Sequence, residues 1–210
     1  MFDPKCILIL SPHTDDAELG CGASMARWSR NGKEVHVAAF SSCRKSLPPD
    51  LPADTLETEW KLAMDRLGID TSRRYLMDHE VRSFPAERQA ILDQLIRLND
   101  SIGPDLVLIP SRHDRHQDHE VIHREAQRAF SYSSLMGYEL PWNQSNFSAD
   151  HFSVIDESDI HKKWNALQAY RSQAHRPYMQ EPFIRALATV RGIQCRKPLA
   201  EAFEVYRLIG

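Results

Sequence analysis

CILILSPHTDDAELGCG, residues 6–22, is the stretch around which the chain is organised. Residues 6–10 form a short, branched, apolar run, the pattern of a parallel strand covered on both faces. Pro12 is expected to stop that strand, and a helical pattern begins near Ala17 and runs to about Ser29. His13, Thr14, Asp15 and Asp16 stand between the two. An imidazole and two carboxylates therefore sit at the carboxyl end of a strand, where open α/β sheets place their ligands. His13 and Asp16 are close enough in a turn to share one ion, and this donor pair suits zinc or another divalent transition metal. Taken alone, paired aspartates after a strand more often cap a helix and complement its dipole.

A second motif changes that balance. His116-Gln117-Asp118-His119 follows another apolar run at residues 106–110. Two strand–loop–helix units then present His and Asp at the same end of one sheet, the convergence a metal site requires. The expected ligands are His13, Asp16 and His119, which leave a coordination position for water, as catalytic zinc sites do. Asp15, beside a ligand, is placed to act as general base. His116 would face the substrate from the other side, stabilising an oxyanion and then protonating the leaving nitrogen. Asp118 would hold His116 in its charged form, as a triad carboxylate does. The set fits hydrolysis of an amide or an ester.

Composition narrows the classes. A chain of 210 residues can bury a substantial core, and one domain over residues 1–210 is expected. Its 26 basic and 29 acidic residues are interspersed, giving a net charge of −3, so no nucleic-acid partner is expected. No apolar run reaches about 18 residues and no signal-peptide pattern opens the chain, so no membrane insertion and a cytoplasmic location are expected. A homo-oligomer is compatible with all of this. Cys6, Cys21, Cys43 and Cys195 form no CxxC pair and read as inert reduced thiols.

The remaining pattern alternates. Strands are expected at 34–40, 74–77 and 106–109, with helices at 56–67, 85–99 and 120–131, which gives an α/β, Rossmann-like three-layer sandwich with a mostly parallel central sheet. Residues 138–142 read as a strand end, 152–155 and 201–208 as strands, and 159–170 and 181–190 as helices. Residues 41–54, with three prolines, read as a loop at the rim of the site or a lid over it. No GxGxxG follows the first strand, and Asp15 and Asp16 would repel a pyrophosphate there, which argues against a dinucleotide. Trp164 reads as core.

SPHTDDAELGCGAS resembles the PHxDDxxLGxGG signature of the LmbE-like (PIG-L) zinc de-N-acetylase family, and HQDH resembles its HxDH motif. Residues 59–68 resemble its ExxxA…LG helix, Tyr170-Arg171-Ser172-Gln173 its YxSQ segment, and residues 200–204 its closing AEAFE strand. The resemblance implies removal of acetyl groups from N-acetylglucosamine-type sugars. It implies His13, Asp16 and His119 as zinc ligands, Asp15 as base, and His116 oriented by Asp118 as acid. It also implies a substrate contact at Asp78. Two positions depart from the family: Leu56 stands where an arginine usually reaches the substrate, and Ala23 replaces a glycine. Losing the arginine argues against an anionic substrate group there, unless Arg44, Lys45 or Arg82 substitutes, or Arg112 or Arg115 beside the second motif.

The leading expectation is a zinc-dependent hydrolase deacetylating an N-acetyl sugar or conjugate; the ligand set also suits Fe²⁺ or Co²⁺. The alternatives are a metal-dependent amidase on another acylated small molecule and a non-catalytic sugar-binding relative. A metal phosphoesterase is disfavoured, because the extra carboxylates of a two-metal site are missing.

Overall fold

The computed structural model describes residues 2–210. Its elements are β1 (Cys6–His13), α1 (Asp16–Arg30), β2 (Glu34–Ser41), α2 (Thr55–Leu67), β3 (Arg74–Leu76), α3 (Arg88–Ile102) and β4 (Leu106–Pro110). They continue with α4 (Gln117–Ala129), β5 (Ser134–Tyr138), β6 (His151–Val154), α5 (Glu157–Leu167), α6 (Glu181–Gln194) and β7 (Ala200–Arg207). The strands make one sheet in the order β3-β2-β1-β4-β5-β7-β6. The first five are parallel, and β7 runs antiparallel to both β5 and β6.

Alternate residues of β1 explain the layers. Ile7 and Ile9 pack with α1, α2, α5 and α6 on one face, while Leu8 and Leu10 pack with α3 and α4 on the other. All four are fully buried, each worth about 1.5–3 kcal/mol of burial, which is why the segment lacks polar alternation. The chain winds from β1 outward to β3, then returns to place β4 on β1's other side. Between β1 and β4 the winding reverses, and a crevice opens at the carboxyl ends of those two strands.

Three boundaries differ from expectation. Pro12 does not end β1, which continues to His13. Pairing with β4 stops at Ile9 while pairing with β2 continues to His13, so Pro12 lies where β1 has one free edge. The strand end read at residues 138–142 falls at Tyr138, and β5 reaches back to Ser134 because Ser134 and Gly137 interrupt the apolar pattern that would have marked it. Helix α4 begins at Gln117 with His116 as its N-cap, so the second motif is the first turn of a helix and not a loop before one.

Helix α1 is broken at Cys21 (φ −148°, ψ 22°). Gly20 sits against the Tyr138 ring, where a Cβ would come within 2.4 Å. The break frees peptide groups in a buried place, and two side chains satisfy them. Lys163 Nζ donates to Leu19 O at 2.7 Å, and Glu201 accepts from Ala23 N and Ser24 N at 3.2 and 2.7 Å. Lys163 and Glu201 pair at 2.7 Å with side chains only 5% and 6% exposed. Glu201→Ala is expected to cost about 3–5 kcal/mol in urea unfolding, since it strands a buried ammonium. Pairing it with Lys163→Met should recover part of that loss. A single mutant as stable as the parent would contradict this account.

Candidate metal centre

The turn from β1 into α1 is fixed by its own short side chains. Ser11 Oγ donates to His13 O at 2.5 Å and accepts from Ala17 N at 3.0 Å, and Asp16 Oδ2 accepts from His13 N at 2.8 Å. Tyr170 closes the turn from outside by donating to Thr14 O at 2.5 Å. Across the crevice, His119 emerges from the first turn of α4.

Three donor atoms meet there. His13 Nδ1 lies 3.2 Å from Asp16 Oδ2, His119 Nε2 lies 3.2 Å from the same oxygen, and the two nitrogens are 3.1 Å apart. A tetrahedral ion with bonds of about 2.0–2.1 Å holds its ligands roughly 3.3 Å apart, so the triangle matches the spacing zinc wants. His116 offers a nitrogen within 4.8 Å of those of His13 and His119, a looser fit. Each imidazole of the triangle is backed by a carboxylate: His13 Nε2 by Asp118 Oδ2 at 3.0 Å, and His119 Nδ1 by Asp114 Oδ2 at 2.8 Å. That arrangement fixes ring orientation and strengthens metal-binding imidazoles. A second trio of donors, Cys6, Glu34 and His36, lies at the far end of β1 and β2.

The charges follow from this crowding. Burial would raise the Asp16 carboxyl, but the imidazoles of His119 and His13 overcome it and hold it well below the usual range. Burial would lower His119, yet Asp16 and Asp114 bring it up to about 10. Asp15 differs. Among the described residues its carboxylate makes no hydrogen bond or ion pair with another side chain, and burial, then the charge of Asp16, raise it to about 6.

His116 is half-buried, and burial together with the charges of His119 and His13 lowers it to about 4, so it is neutral at pH 7. Its Nδ1 accepts from Asp118 N at 3.1 Å, which leaves its proton on Nε2. Here the expected role of Asp118 changes. Its carboxylate lies 4.0 Å from His116 Nδ1 and instead accepts from Arg82 N at 2.6 Å and binds His13. The reason is helical direction: the N-cap residue stays outside while the side chain two positions on turns inward, fully buried. Asp78 is not brought to the site; its side chain is 77% exposed and lies 3.4 Å from Arg44.

The donors open onto a cavity of about 300 Å³, at the lower end for small-molecule sites. Asp15 and His116 line it, as do Leu56, Arg82, Trp142, Arg176 and Tyr178. Of the candidate substitutes for the missing arginine, only Arg82 lines the cavity. The sequence reading missed Asp114, Trp142, Arg176 and Tyr178. Asp114 had a usable signal, an acid two residues before His116 in the same strand-to-helix turn.

A family model described as PIG-L: GlcNAc-PI de-N-acetylase matches residues 8–130. The uncharacterized deacetylase YaiS of Escherichia coli (strain K12) is 28% identical over 172 residues, 80% of this chain and 91% of that protein. Among solved structures, the N,N'-diacetylchitobiose deacetylase from Pyrococcus horikoshii aligns with a TM-score of 0.81 at 20% identity, covering 97% of this chain and 84% of that one. GalB, the 4-carboxy-2-hydroxymuconate hydratase from Pseudomonas putida KT2440, also gives 0.81 at 20% identity over 98% of each chain. At such identities the two structures bear on the fold alone, and the argument for an activity has to come from the residues.

Metal binding must displace the His119 proton, and that of His13 wherever this raised imidazole is still charged, so affinity should rise at least about tenfold per pH unit from pH 7 to 9 and level off near 10. Chelator-competition titrations will read that slope, and a flat profile would refute it. Without the ion, the same raised group stabilises the fold fully below about pH 6.5. That contribution is lost as pH climbs through about 10. Asp114→Asn should weaken zinc binding about 10- to 100-fold.

Proposed function

The chain belongs to the PIG-L family of GlcNAc-PI de-N-acetylases, a deacetylase family that acts on amides, and from that premise we propose that it is a zinc-dependent hydrolase. Its substrate in this reading is an N-acetylated amino sugar or sugar conjugate, from which it releases acetate. One observation carries the proposal: the open triangle of His13, Asp16 and His119 stands beside an Asp15 carboxylate with no side-chain partner of its own. A structural metal site would have no use for such a neighbour.

His13, Asp16 and His119 would hold the ion, with Asp118 and Asp114 fixing the two imidazoles. A divalent ion there supplies Lewis acidity, which acidifies water and polarises an acyl carbonyl. Asp15 takes the proton of the attacking water; with its carboxyl at about 6 it is ionised at neutral pH yet basic enough for the task. Neutral His116 donates its Nε2 proton in a hydrogen bond to the developing oxyanion, as a neutral imidazole can when its other nitrogen is held. The carbon–nitrogen bond then breaks, and the proton collected by Asp15 leaves with the amine. Leu56 and the Trp142–Tyr178 pair provide the apolar surface on which a sugar ring would rest. A cytoplasmic location completes the reading, in keeping with four free thiols. Among the described residues no helix is long and apolar enough to cross a membrane.

Acetate release from a panel of N-acetyl sugars and simple acyl amines, with zinc removed and restored, tests the proposal. Turnover confined to non-sugar amides would favour the broader amidase, and zinc retention with no turnover would favour a binding protein. Asp15→Ala should keep its zinc and lose about 10²- to 10⁴-fold in rate, whereas His13→Ala should lose both. In the parent enzyme kcat/KM should fall as pH drops through about 6, because Asp15 takes up a proton; a rate unchanged down to pH 4 would remove Asp15 as the base.

A further inference from the structure

The cavity has a second wall, contributed by the segment between α5 and α6, whose one charged side chain has no task in the chemistry above. Arg176 stands on it. Its Nε donates to Gln173 Oε1 at 2.6 Å, and a terminal nitrogen donates to the Tyr178 hydroxyl at 2.7 Å. Both partners are neutral. Among the described residues Arg176 joins no ion pair, whereas Arg44, outside the cavity, is paired with Asp78 at 3.4 Å.

A relay of hydrogen bonds aims this side chain. Glu59 on α2 accepts from Ser172 N and Ser172 Oγ at 2.9 and 2.6 Å. Gln173 Nε2 donates to Ser172 Oγ at 3.1 Å, and the other end of that buried amide holds Arg176. Tyr178 is pinned in turn by stacking on Trp142, with centroids 3.9 Å apart and planes 7° from parallel. On α2, the buried Leu56 adds no charge to the same cavity. Arg82 is the cavity's other arginine. It has a left-handed backbone (φ 70°), its N–H is held by Asp118, and its side chain donates to Ser46 Oγ at 3.1 Å.

A guanidinium held by two neutral acceptors contacts no counter-charge among the described residues, although Asp15 on the same cavity feels its field; N–H groups are left to donate, and they match carboxylate and phosphate geometry. We propose that Arg176 anchors an anion subsite, and that the substrate carries a carboxylate or phosphate beside the amide to be cleaved. The proposal rests on the hydrolase reading only for the amide; anion binding stands apart from it. Arg176 is thus a specificity residue contributed by the α5–α6 segment in a cavity where α2 presents leucine.

Calorimetric titration of the zinc-loaded protein with glucosamine, glucosamine 6-phosphate and muramic acid tests it, the last two separating phosphate from carboxylate. At least one anionic probe should bind about tenfold or more tighter than glucosamine. Arg176→Gln should remove roughly 10- to 100-fold of that affinity while leaving glucosamine unchanged. Arg176→Lys should retain part of it and supplies the comparison if the glutamine variant unfolds. Arg171→Gln, exposed on the same segment, should change nothing. Equal affinity for charged and neutral probes would overturn the proposal. So would anion affinity that survives Arg176→Gln, since the anion would then sit on the metal or on Arg82. With an anionic N-acetyl substrate, the variant should raise KM and spare kcat; a fall in kcat on neutral amides would instead mean that Arg176 acts through Asp15. Anion binding through Arg176 in a protein that cleaves no amide would keep the subsite and remove the hydrolase reading. Cleavage of amides with no anion preference would do the reverse.

Discussion

One carboxylate oxygen, Asp16 Oδ2, is in contact with two imidazoles and a backbone N–H at the same time. His13 and His119 face each other at 3.1 Å across 106 residues of sequence. Two imidazoles that close repel when both are protonated. They are tolerable only where a carboxylate lies between them or an ion replaces their protons. The pairing of β1 with β4 forces the contact, and Asp114 and Asp118 stop either ring from turning away. The cavity, the free Asp15 and the neutral His116 all take their places from this knot.

Much of it could be read from the sequence because the physics is local. The apolar run before His13 had to be a buried strand. Two His/Asp turns at corresponding points of two βα units had to meet at the same end of a parallel sheet. What could not be read depends on side-chain direction or on distant packing. By sequence Asp118 is a partner for His116, its near neighbour, but the helical turn sends it inward to His13. Pro12 looks like a stop because sequence does not show that β4 has already left that edge of β1. Asp78 follows a strand as an active-site acid would, yet its side chain is in solvent. Arg176 lies in a polar stretch whose course only the folded chain reveals.

The two walls of the cavity divide the work differently. The wall made by β1, α1 and α4 is rigid, built on strand ends and first helical turns, and it carries the groups that would act on an amide. The facing wall is made of short turns between α5 and α6, braced by Glu59 and by the Trp142–Tyr178 stack. In the proposed reading, reactivity belongs to the first and discrimination to the second. Such a division would let the accepted substrate vary with no change to the reacting groups, as loops do on many scaffolds.

The break in α1 has a consequence for how the molecule can be cut. The helix that carries Asp16 is completed by Lys163 and by Glu201, a residue of the final strand. A fragment ending before that strand would leave an ammonium buried without its counter-charge and two peptide N–H groups uncapped beneath the first ligand turn. The amino-terminal portion holding both His/Asp turns is therefore no autonomous unit. During synthesis, the ligand loop at the end of β1 waits for β7 to emerge before its support is in place.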